Sequence, residues 1–242
     1  MRILFCKIAS MKYYKGVQEG IDEPHNGGSY IAENCDGGEV YNFDAVSLEG
    51  KEGKYCLGFV ETKSTRKERQ NELHIENIRG CESLKNEKAV EDVLVVWCAT
   101  QKEENTDKNK AVIVGWYQHA TVYRRRDIDQ DEENQNVDDD GDYYVKAKEE
   151  DCVLLPEEVR SLKEWEAPVA QKWGYGFGQA LVWYARNENA EPYLKKLVKQ
   201  IQEYDGENWI DVGYPRPSSE QIKKISENIR KVQKLIWKQK NS

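Results

Sequence analysis

Two stretches of sequence decide the fold: residues 92–99 read DVLVVWCA, and residues 111–117 read AVIVGWY. Both are rich in β-branched and aromatic residues, and neither places its apolar residues at a helical period, which is typical of buried strands. The polar segment QKEENTDKNK, residues 101–110, separates them. The sequence therefore predicts a hairpin with a long solvated loop, whose first strand lies buried at the centre of a sheet.

Shorter runs of strand character lie on both sides of this hairpin. Residues 1–9, 39–43, 54–60, 142–147 and 152–155 are apolar or alternate in polarity over strand length. About seven strands with few helices between them predict an α+β fold, built as a mostly antiparallel sheet or small barrel.

The C-terminal part of the chain has a helical period instead. From Glu191 and Pro192 onward, the apolar residues at 193, 194, 197, 198, 201 and 204 fall on one side of a helix. Residues 218–221, SSEQ, form a capping box before a second helix with a basic face. We therefore expect one domain over residues 1–185 and a C-terminal helical hairpin over 186–242, which either packs on that domain or contacts a partner.

The charge is unevenly placed along the chain. The formal net charge is −8, but nine acids lie within residues 127–142. The remainder is close to neutral, so a basic surface can form beside one acidic loop. This loop echoes an EF-hand, but it lacks the full ligand spacing and the flanking helices, so we expect a solvated loop and no metal.

Cysteine usage and hydropathy indicate the compartment. The six cysteines are far apart, none lies in a C-x-x-C pair, and the first apolar run is too short for a signal peptide. No stretch approaches the roughly 18–20 apolar residues of a membrane span. We expect reduced thiols in a cytoplasmic protein that has no membrane contact and needs no cofactor.

One short pattern points to catalysis. Glu61-Thr62-Lys63 is an E-x-K triplet, and Asp44 lies 17 residues upstream of Glu61. Restriction-type nucleases use such residues to hold Mg²⁺ and to orient the attacking water. Because so short a triplet also arises by chance at charged strand ends, a metal-dependent nuclease is the alternative function. The sequence favours a binding module with no catalytic residues.

The aromatic residues favour binding of a base. There are 7 Trp and 14 Tyr but only 4 Phe, and Trp and Tyr suit surfaces that are half apolar and half wet. Asn42 is the residue expected to contact the base edge, since an amide offers both a donor and an acceptor. The predicted base-binding pocket consists of Tyr30, Tyr41, Asn42, Phe43, Trp97, Trp116, Tyr117 and Trp173.

Basic residues near these aromatics are candidates for contacts with phosphates. They are Lys12, Lys15, Lys63, Arg124, Arg125 and Arg126. By contrast, the glycine-rich stretch 174–178, GYGFG, lacks the residues that complete a nucleotide-binding loop and predicts a tight turn instead.

Several segments together resemble a known family. They are ILFCKI (3–8), MKYYKG (11–16), GGSY (27–30), GEVYNF (38–43), VVWCAT (95–100), IVGWY (113–117), DCVLLP (151–156) and GQALVWYA (178–185). This succession resembles a group of bacterial modules that are linked with modification-dependent restriction. Those modules look like the PUA superfamily, which includes EVE and YTH-like readers. The resemblance covers roughly residues 1–185 and implies a β-barrel that flips a modified base into an aromatic cage. The chain lacks the G-V-W-[AS]-[ST]-T cage segment of YTH domains.

We therefore expect non-catalytic recognition of nucleic acid, with DNA carrying a modified base favoured over RNA. A role in restriction would require a separate nuclease or GTPase partner chain. The alternatives are the nuclease built on Asp44, Glu61 and Lys63, and a protein-interaction module that acts through the C-terminal helices.

The acidic loop generates a first test. Deleting it should strengthen nonspecific binding to DNA, because nine like charges that repel the phosphate backbone are removed. The measurement is the Kd for an unmodified oligonucleotide at low and high salt, where screening should reduce the gain. An unchanged Kd at low salt would contradict the expectation.

Overall fold

The computed structural model describes residues 1–26, 38–62, 72–102, 108–127 and 143–214. In these ranges the protein is α+β, with a mostly antiparallel, open eight-stranded sheet and few helices, so the predicted fold class is confirmed at this level. The strands are β1 (Ile3–Ile8), β2 (Ala45–Ser47), β3 (Lys54–Gly58), β4 (Ala89–Lys102), β5 (Asn109–Asp127), β6 (Tyr143–Lys148), β7 (Cys152–Leu154) and β8 (Val182–Trp183). The α-helices are α1 (Glu157–Arg160), α2 (Ala170–Trp173) and α3 (Glu191–Gln202).

The strands pair in the order β2-β3-β6-β5-β4-β1-β8, and β7 pairs with β5. Only β1 and β4 run parallel among the described pairs, with Cys6 opposite Trp97. The predicted hairpin is confirmed as β4 and β5, whose pairing extends to Lys102 and Asn109. These two long strands form the centre of the sheet.

The β4–β5 ladder contains bulges where the register shifts. Two of the shifts fall around Asp92 and His119, whose φ angles are +56° and +49°. Left-handed backbone is uncommon for residues other than glycine, although Asp and His tolerate it better than most. The hairpin therefore holds two strained positions close to each other.

Apolar side chains cover both faces of the sheet. On one face Leu4 and Cys6 of β1 pack with Trp97 of β4, and on the other Phe5 packs with Val96. The second face is covered by α3, whose apolar residues Leu194, Leu197 and Ile201 are buried against it. The predicted amphipathic helix is thus confirmed, while the second helix and residues 128–142 of the acidic loop lie outside the described residues.

A buried guanidinium holds the segment that follows β1. Arg160 is fully buried and donates hydrogen bonds to the carbonyl oxygens of Leu155, Met11 and Lys12 at 2.7–2.8 Å. The Asp22 carboxylate accepts from the backbone N–H groups of Lys12 and Tyr13 at 2.6 and 2.7 Å. These charged groups satisfy backbone polar atoms that a sheet cannot pair, which is why they are tolerated inside.

The expected strand at residues 39–43 is wrong, because this segment begins as a 3-10 turn over Gly38–Tyr41. Asn42 replaces the ladder bonds of a strand: its Nδ2 donates to the Phe59 carbonyl at 3.0 Å and its Oδ1 accepts from the Phe59 N–H at 2.8 Å. A side chain that mimics a peptide group in this way competes with regular pairing.

None of the helices in the described ranges is long and apolar enough to cross a membrane.

Close packing against Gly58 gives a stability test. A Cβ at this position would lie 2.4 Å from Cζ2 of Trp97, so Gly58→Ala should displace the indole and cost about 1–3 kcal/mol of unfolding free energy. Gly178 has no heavy atom within 4 Å of such a Cβ, so Gly178→Ala is the matched control. Urea unfolding measures both, and equal stability of the two variants would contradict the packing.

Candidate nucleic-acid interface

Three residues of the predicted base pocket lie in the core on the face of the sheet that carries Leu4 and Cys6. Phe43, Trp97 and Tyr117 are fully buried and contact one another, with ring centroids 5.4 Å apart for Phe43–Tyr117 and 5.3 Å for Trp97–Tyr117. The prediction is corrected here, because rings enclosed by neighbouring side chains offer no open face to a base.

Trp116 requires the same correction. It points to the other face of the sheet from Tyr117, is 1% exposed, and stacks on Trp165 at a centroid distance of 5.3 Å. Tyr204 meets its ring edge to face at 5.4 Å. Neighbouring aromatics thus occupy the space that a flipped base would need.

The 39–43 segment does not supply a base-edge contact either. Asn42 is buried, and both ends of its amide are used by the Phe59 backbone, so the prediction for Asn42 is corrected. Tyr41 is exposed and its ring borders Gly16. Tyr30 and Lys63 lie outside the described residues.

Trp173 is the predicted pocket residue that lies in an open aromatic group. It is half-buried at the end of α2, and its ring is nearly perpendicular to those of Tyr175 and Tyr193, at centroid distances of 5.8 and 5.4 Å. Tyr175 and Tyr193 are 6.0 Å apart. Three rings from two distant segments therefore form an aromatic corner.

The glycine-rich turn positions two of these rings. Gly174 ends α2 with φ +75°, and Gly176, at φ +104°, approaches Pro168 so closely that a Cβ would lie 2.2 Å from its carbonyl oxygen. The Phe177 N–H donates to the same oxygen at 2.9 Å. The predicted tight turn is confirmed, and it places Trp173 and Tyr175 side by side.

A cavity of about 310 Å³ opens at this aromatic corner. Burial raises the pKa of the Tyr175 and Tyr193 hydroxyls above the ordinary value, so both phenols stay neutral. The remaining lining is mostly polar. It consists of Lys163, Glu164, Glu166, Pro192, Lys196, Leu197 and Gln200.

A groove of about 670 Å³ adjoins this cavity and shares Lys163 and Glu166 with it. It is lined by four lysines, Lys108, Lys110, Lys163 and Lys172, and by one carboxylate, Glu166, which forms an ion pair with Lys172. Because the lysines outnumber the acids, the groove carries a positive potential that attracts anions.

The predicted phosphate contacts lie elsewhere and already have partners. The Arg124 side chain is 13% exposed and binds the Glu76 carboxylate at 2.7 Å and the carbonyl oxygens of Glu87 and Leu84 at 3.0 and 2.9 Å. It clamps the segment before β4 onto β5, so its prediction as a phosphate contact is corrected.

The other four cations are nearer to solvent. Lys12 pairs with Glu157 at 3.3 Å, and Lys15 donates to the Ile210 carbonyl at 2.5 Å. Arg125 pairs with Glu72 at 2.6 Å, and Arg126 lies over the Phe59 ring at 5.0 Å. None of them lines the aromatic cavity or the lysine groove.

The nuclease residues do not form a metal centre in the part of the chain that is described. No group of three or more His, Cys, Asp or Glu side chains is placed there to hold a metal ion. Glu61 is exposed, Asp44 is half-buried, and Lys63 lies outside the described ranges. The nuclease alternative therefore gains no geometric support from Asp44 and Glu61.

A neighbour of Glu61 does have unusual acid–base properties. Glu39 is 3% exposed, and its Oε1 accepts a hydrogen bond from the Ala9 N–H at 2.8 Å. Burial raises the pKa of this carboxyl from 4.5 to about 7, with a smaller contribution from the negative charge of Glu61. Below about pH 7, the folded state therefore favours protonated Glu39.

Sequence reasoning missed most of the open site. Tyr193 was placed on the apolar side of its helix, and Tyr175 within the glycine turn, but their meeting with Trp173 depends on the packing of α3. The lysines at 110, 163, 172 and 196 have no shared sequence pattern. Comparisons of the chain with protein-family models, curated proteins and solved structures find no match.

Glu39 generates a prediction for pH. A raised carboxyl pKa stabilises the fold fully below about pH 4.5, and this contribution is lost as the pH rises through about 7. Glu39→Gln keeps an acceptor for Ala9 but does not ionise. Its stability relative to wild type should therefore increase by up to about 3 kcal/mol between pH 4.5 and 8, as urea unfolding would measure. A difference that does not vary with pH would contradict the assignment.

Proposed function

We propose that the protein binds nucleic acid without catalysing a reaction. One base is held against Trp173, Tyr175 and Tyr193, and the phosphates are held along the lysine groove. The observation that carries this proposal is that the aromatic cavity and the lysine groove adjoin, since Lys163 and Glu166 line both. Proteins that bind single-stranded nucleic acid combine a positively charged groove with aromatic side chains on which bases stack.

The aromatic cavity has the size and chemistry for one base. Its volume of about 310 Å³ is at the lower end of the range for small-molecule sites. The Trp173 ring is half-buried and stands nearly perpendicular to the rings of Tyr175 and Tyr193, and Gln200 lines the same cavity. Gln200 Nε2 donates to the Glu164 carbonyl at 3.3 Å, which orients the amide while its oxygen remains an acceptor.

The charges favour an anionic chain over a cationic ligand. Aromatic corners also bind quaternary ammonium groups through cation–π attraction. Here, however, Lys163 and Lys196 line the same cavity together with Glu164 and Glu166, and Lys172 pairs with Glu166, so the positive charges exceed the negative ones by one. A cation would be repelled by the lysines, whereas a phosphate would be attracted by them.

We extend the proposal to a PUA-like module that recognises DNA with a modified base, in a restriction system whose nuclease or GTPase is a separate chain. Five of the eight segments that carry the resemblance include β1, β4, β5, β7 or β8 of one sheet. Because these segments meet in one sheet, their arrangement supports the proposal that they form a single core, as the resemblance implies. In this form of the proposal, the C-terminal hairpin is an appendage that begins with α3.

The test compares binding by Trp173→Ala and Trp173→Phe. The Ala variant should lose about 1–3 kcal/mol of binding free energy, while the Phe variant retains most of it, because a phenyl ring still stacks. Fluorescence anisotropy with modified and unmodified oligonucleotides of the same sequence measures both affinity and preference. Full binding by Trp173→Ala would contradict the location of the base site.

Charge variants and a cleavage assay complete this experiment. Lys163→Gln, at a lysine that lines the groove, should weaken binding and reduce the slope of log K against log salt by about one. Lys85→Gln, at an exposed position that lines neither the groove nor the aromatic cavity, should not. DNA cleavage with Mg²⁺ that is abolished by Glu61→Ala would replace the proposal with the nuclease alternative.

A further inference from the structure

A second groove lies on the other flank of α3. It consists of two adjoining cavities of about 280 and 410 Å³, which share Met1, Arg79, Val198 and Gln202. None of the residues that line the aromatic cavity or the lysine groove lines this one. We call it the α3 groove. Its size is in the range of sites for small organic ligands.

Backbone strain is concentrated around the α3 groove. Five non-glycine residues in the described ranges have positive φ angles, and three of them, Asp92, His119 and Ala185, line the groove. Asp92 and His119 lie at bulges of β4 and β5, and Ala185 follows β8 at φ +52°. Such strain persists only where the surrounding structure enforces it, and it clusters at functional sites.

Asp92 and His119 form a polar pair at the edge of the groove. Nδ1 of His119 lies 2.9 Å from Oδ1 of Asp92, and both side chains are mostly exposed. The carboxylate accepts the Nδ1 proton and thereby fixes the orientation of the ring. Nε2 has no hydrogen-bond partner among the described residues, so it is available to a ligand.

Two anchored guanidinium groups line the same cavity as His119. Nη1 of Arg79 forms an ion pair with Glu191 Oε2 at 2.5 Å, and Nη1 of Arg2 donates to the Glu91 carbonyl at 2.7 Å. A guanidinium carries five N–H donors, so each arginine keeps further donors for a ligand while one contact fixes its position.

The rest of the α3 groove combines apolar side chains with polar ones, among them Glu191, Lys195 and Lys199. Leu94 and Ile201 lie beside the polar groups, and the adjoining cavity is lined by Ile3, Leu194 and Ala185. A suitable ligand therefore has an anionic head and an apolar body. Donor groups from three separate segments of the chain, at Arg2, Arg79 and His119, match the three terminal oxygens of a phosphate better than the two of a carboxylate.

We propose that the α3 groove binds a small organic phosphate, with the phosphate at Arg2, Arg79 and His119 and the apolar body in the cavity lined by Ile3, Leu194 and Ala185. This site is independent of the proposed nucleic-acid interface. The α3 groove shares no lining residue with the aromatic cavity or the lysine groove, and the α3 groove and the aromatic cavity lie on different flanks of α3.

The test uses phenyl phosphate as the probe, with inorganic phosphate and benzoate as comparison ligands. NMR of the three histidine rings follows the titration, and calorimetry gives the Kd. We expect the His119 resonances to shift, and we expect phenyl phosphate to bind at least about tenfold more tightly than either comparison ligand. Equal binding of inorganic phosphate would overturn the apolar half of the site, and equal binding of benzoate would overturn the choice of phosphate.

His74 provides a matched control. It is also exposed and also pairs its Nδ1 with a carboxylate, Glu76, at 3.2 Å, but its φ is −80° and it lines neither cavity of the groove. His119→Asn, whose new side chain tolerates left-handed backbone, should weaken phenyl phosphate binding about tenfold or more, whereas His74→Asn should not. Equal effects of the two variants would overturn the proposal.

A third and a fourth variant separate this site from the nucleic-acid interface. Val198→Phe, which narrows both cavities of the groove, should reduce phenyl phosphate binding without removing a charged group. Trp173→Ala should leave it unchanged. Loss of phenyl phosphate binding in Trp173→Ala would overturn the independence of the two sites, and full binding by Val198→Phe would overturn the location.

Discussion

The burial of β4 and β5 on both faces is the constraint on which the rest of the structure depends. Where β4 and β5 are covered on both sides, over residues 93–99 and 112–117, the chain is apolar, and the aromatic residues there pack in two separate layers. Trp97 and Tyr117 belong to one layer and Trp116 to the other. Because a Cβ at Gly58 would lie 2.4 Å from Cζ2 of Trp97, the glycine in β3 also follows from this packing.

The second layer determines where α3 lies, and α3 in turn determines both candidate sites. With 3.6 residues per turn, the buried residues Leu194, Leu197 and Ile201 fix one face of the helix. Tyr193 and Lys196 then lie on one flank, in the aromatic cavity, while Glu191 and Val198 lie on the other flank, in the α3 groove. A single packed helix therefore forms a wall of two distinct cavities.

The polar side chains that form defined contacts in this structure serve two purposes. Arg160, Asp22 and Asn42 satisfy backbone atoms in segments that leave the sheet, so they stabilise loops rather than bind a ligand. The exposed pair of Asp92 and His119 satisfies no backbone atom, although it is held on strained backbone. This contrast distinguishes a structural polar residue from a candidate ligand contact.

The sequence by itself determined the central hairpin, the strand β1, the amphipathic helix α3 and the tight turn at 174–178, because each depends on a period or on glycine within a short segment. It did not determine which aromatic residues are exposed. Strand patterns place Trp97 and Trp116 at the centre of the sheet, but Gly58 and Tyr117 enclose Trp97 on one face, and Trp165 and Tyr204 enclose Trp116 on the other. The meeting of Trp173 with Tyr193, and of Asp92 with His119, joins segments 20 and 27 residues apart. Such contacts are decided by tertiary packing, because no local period relates the residues that form them.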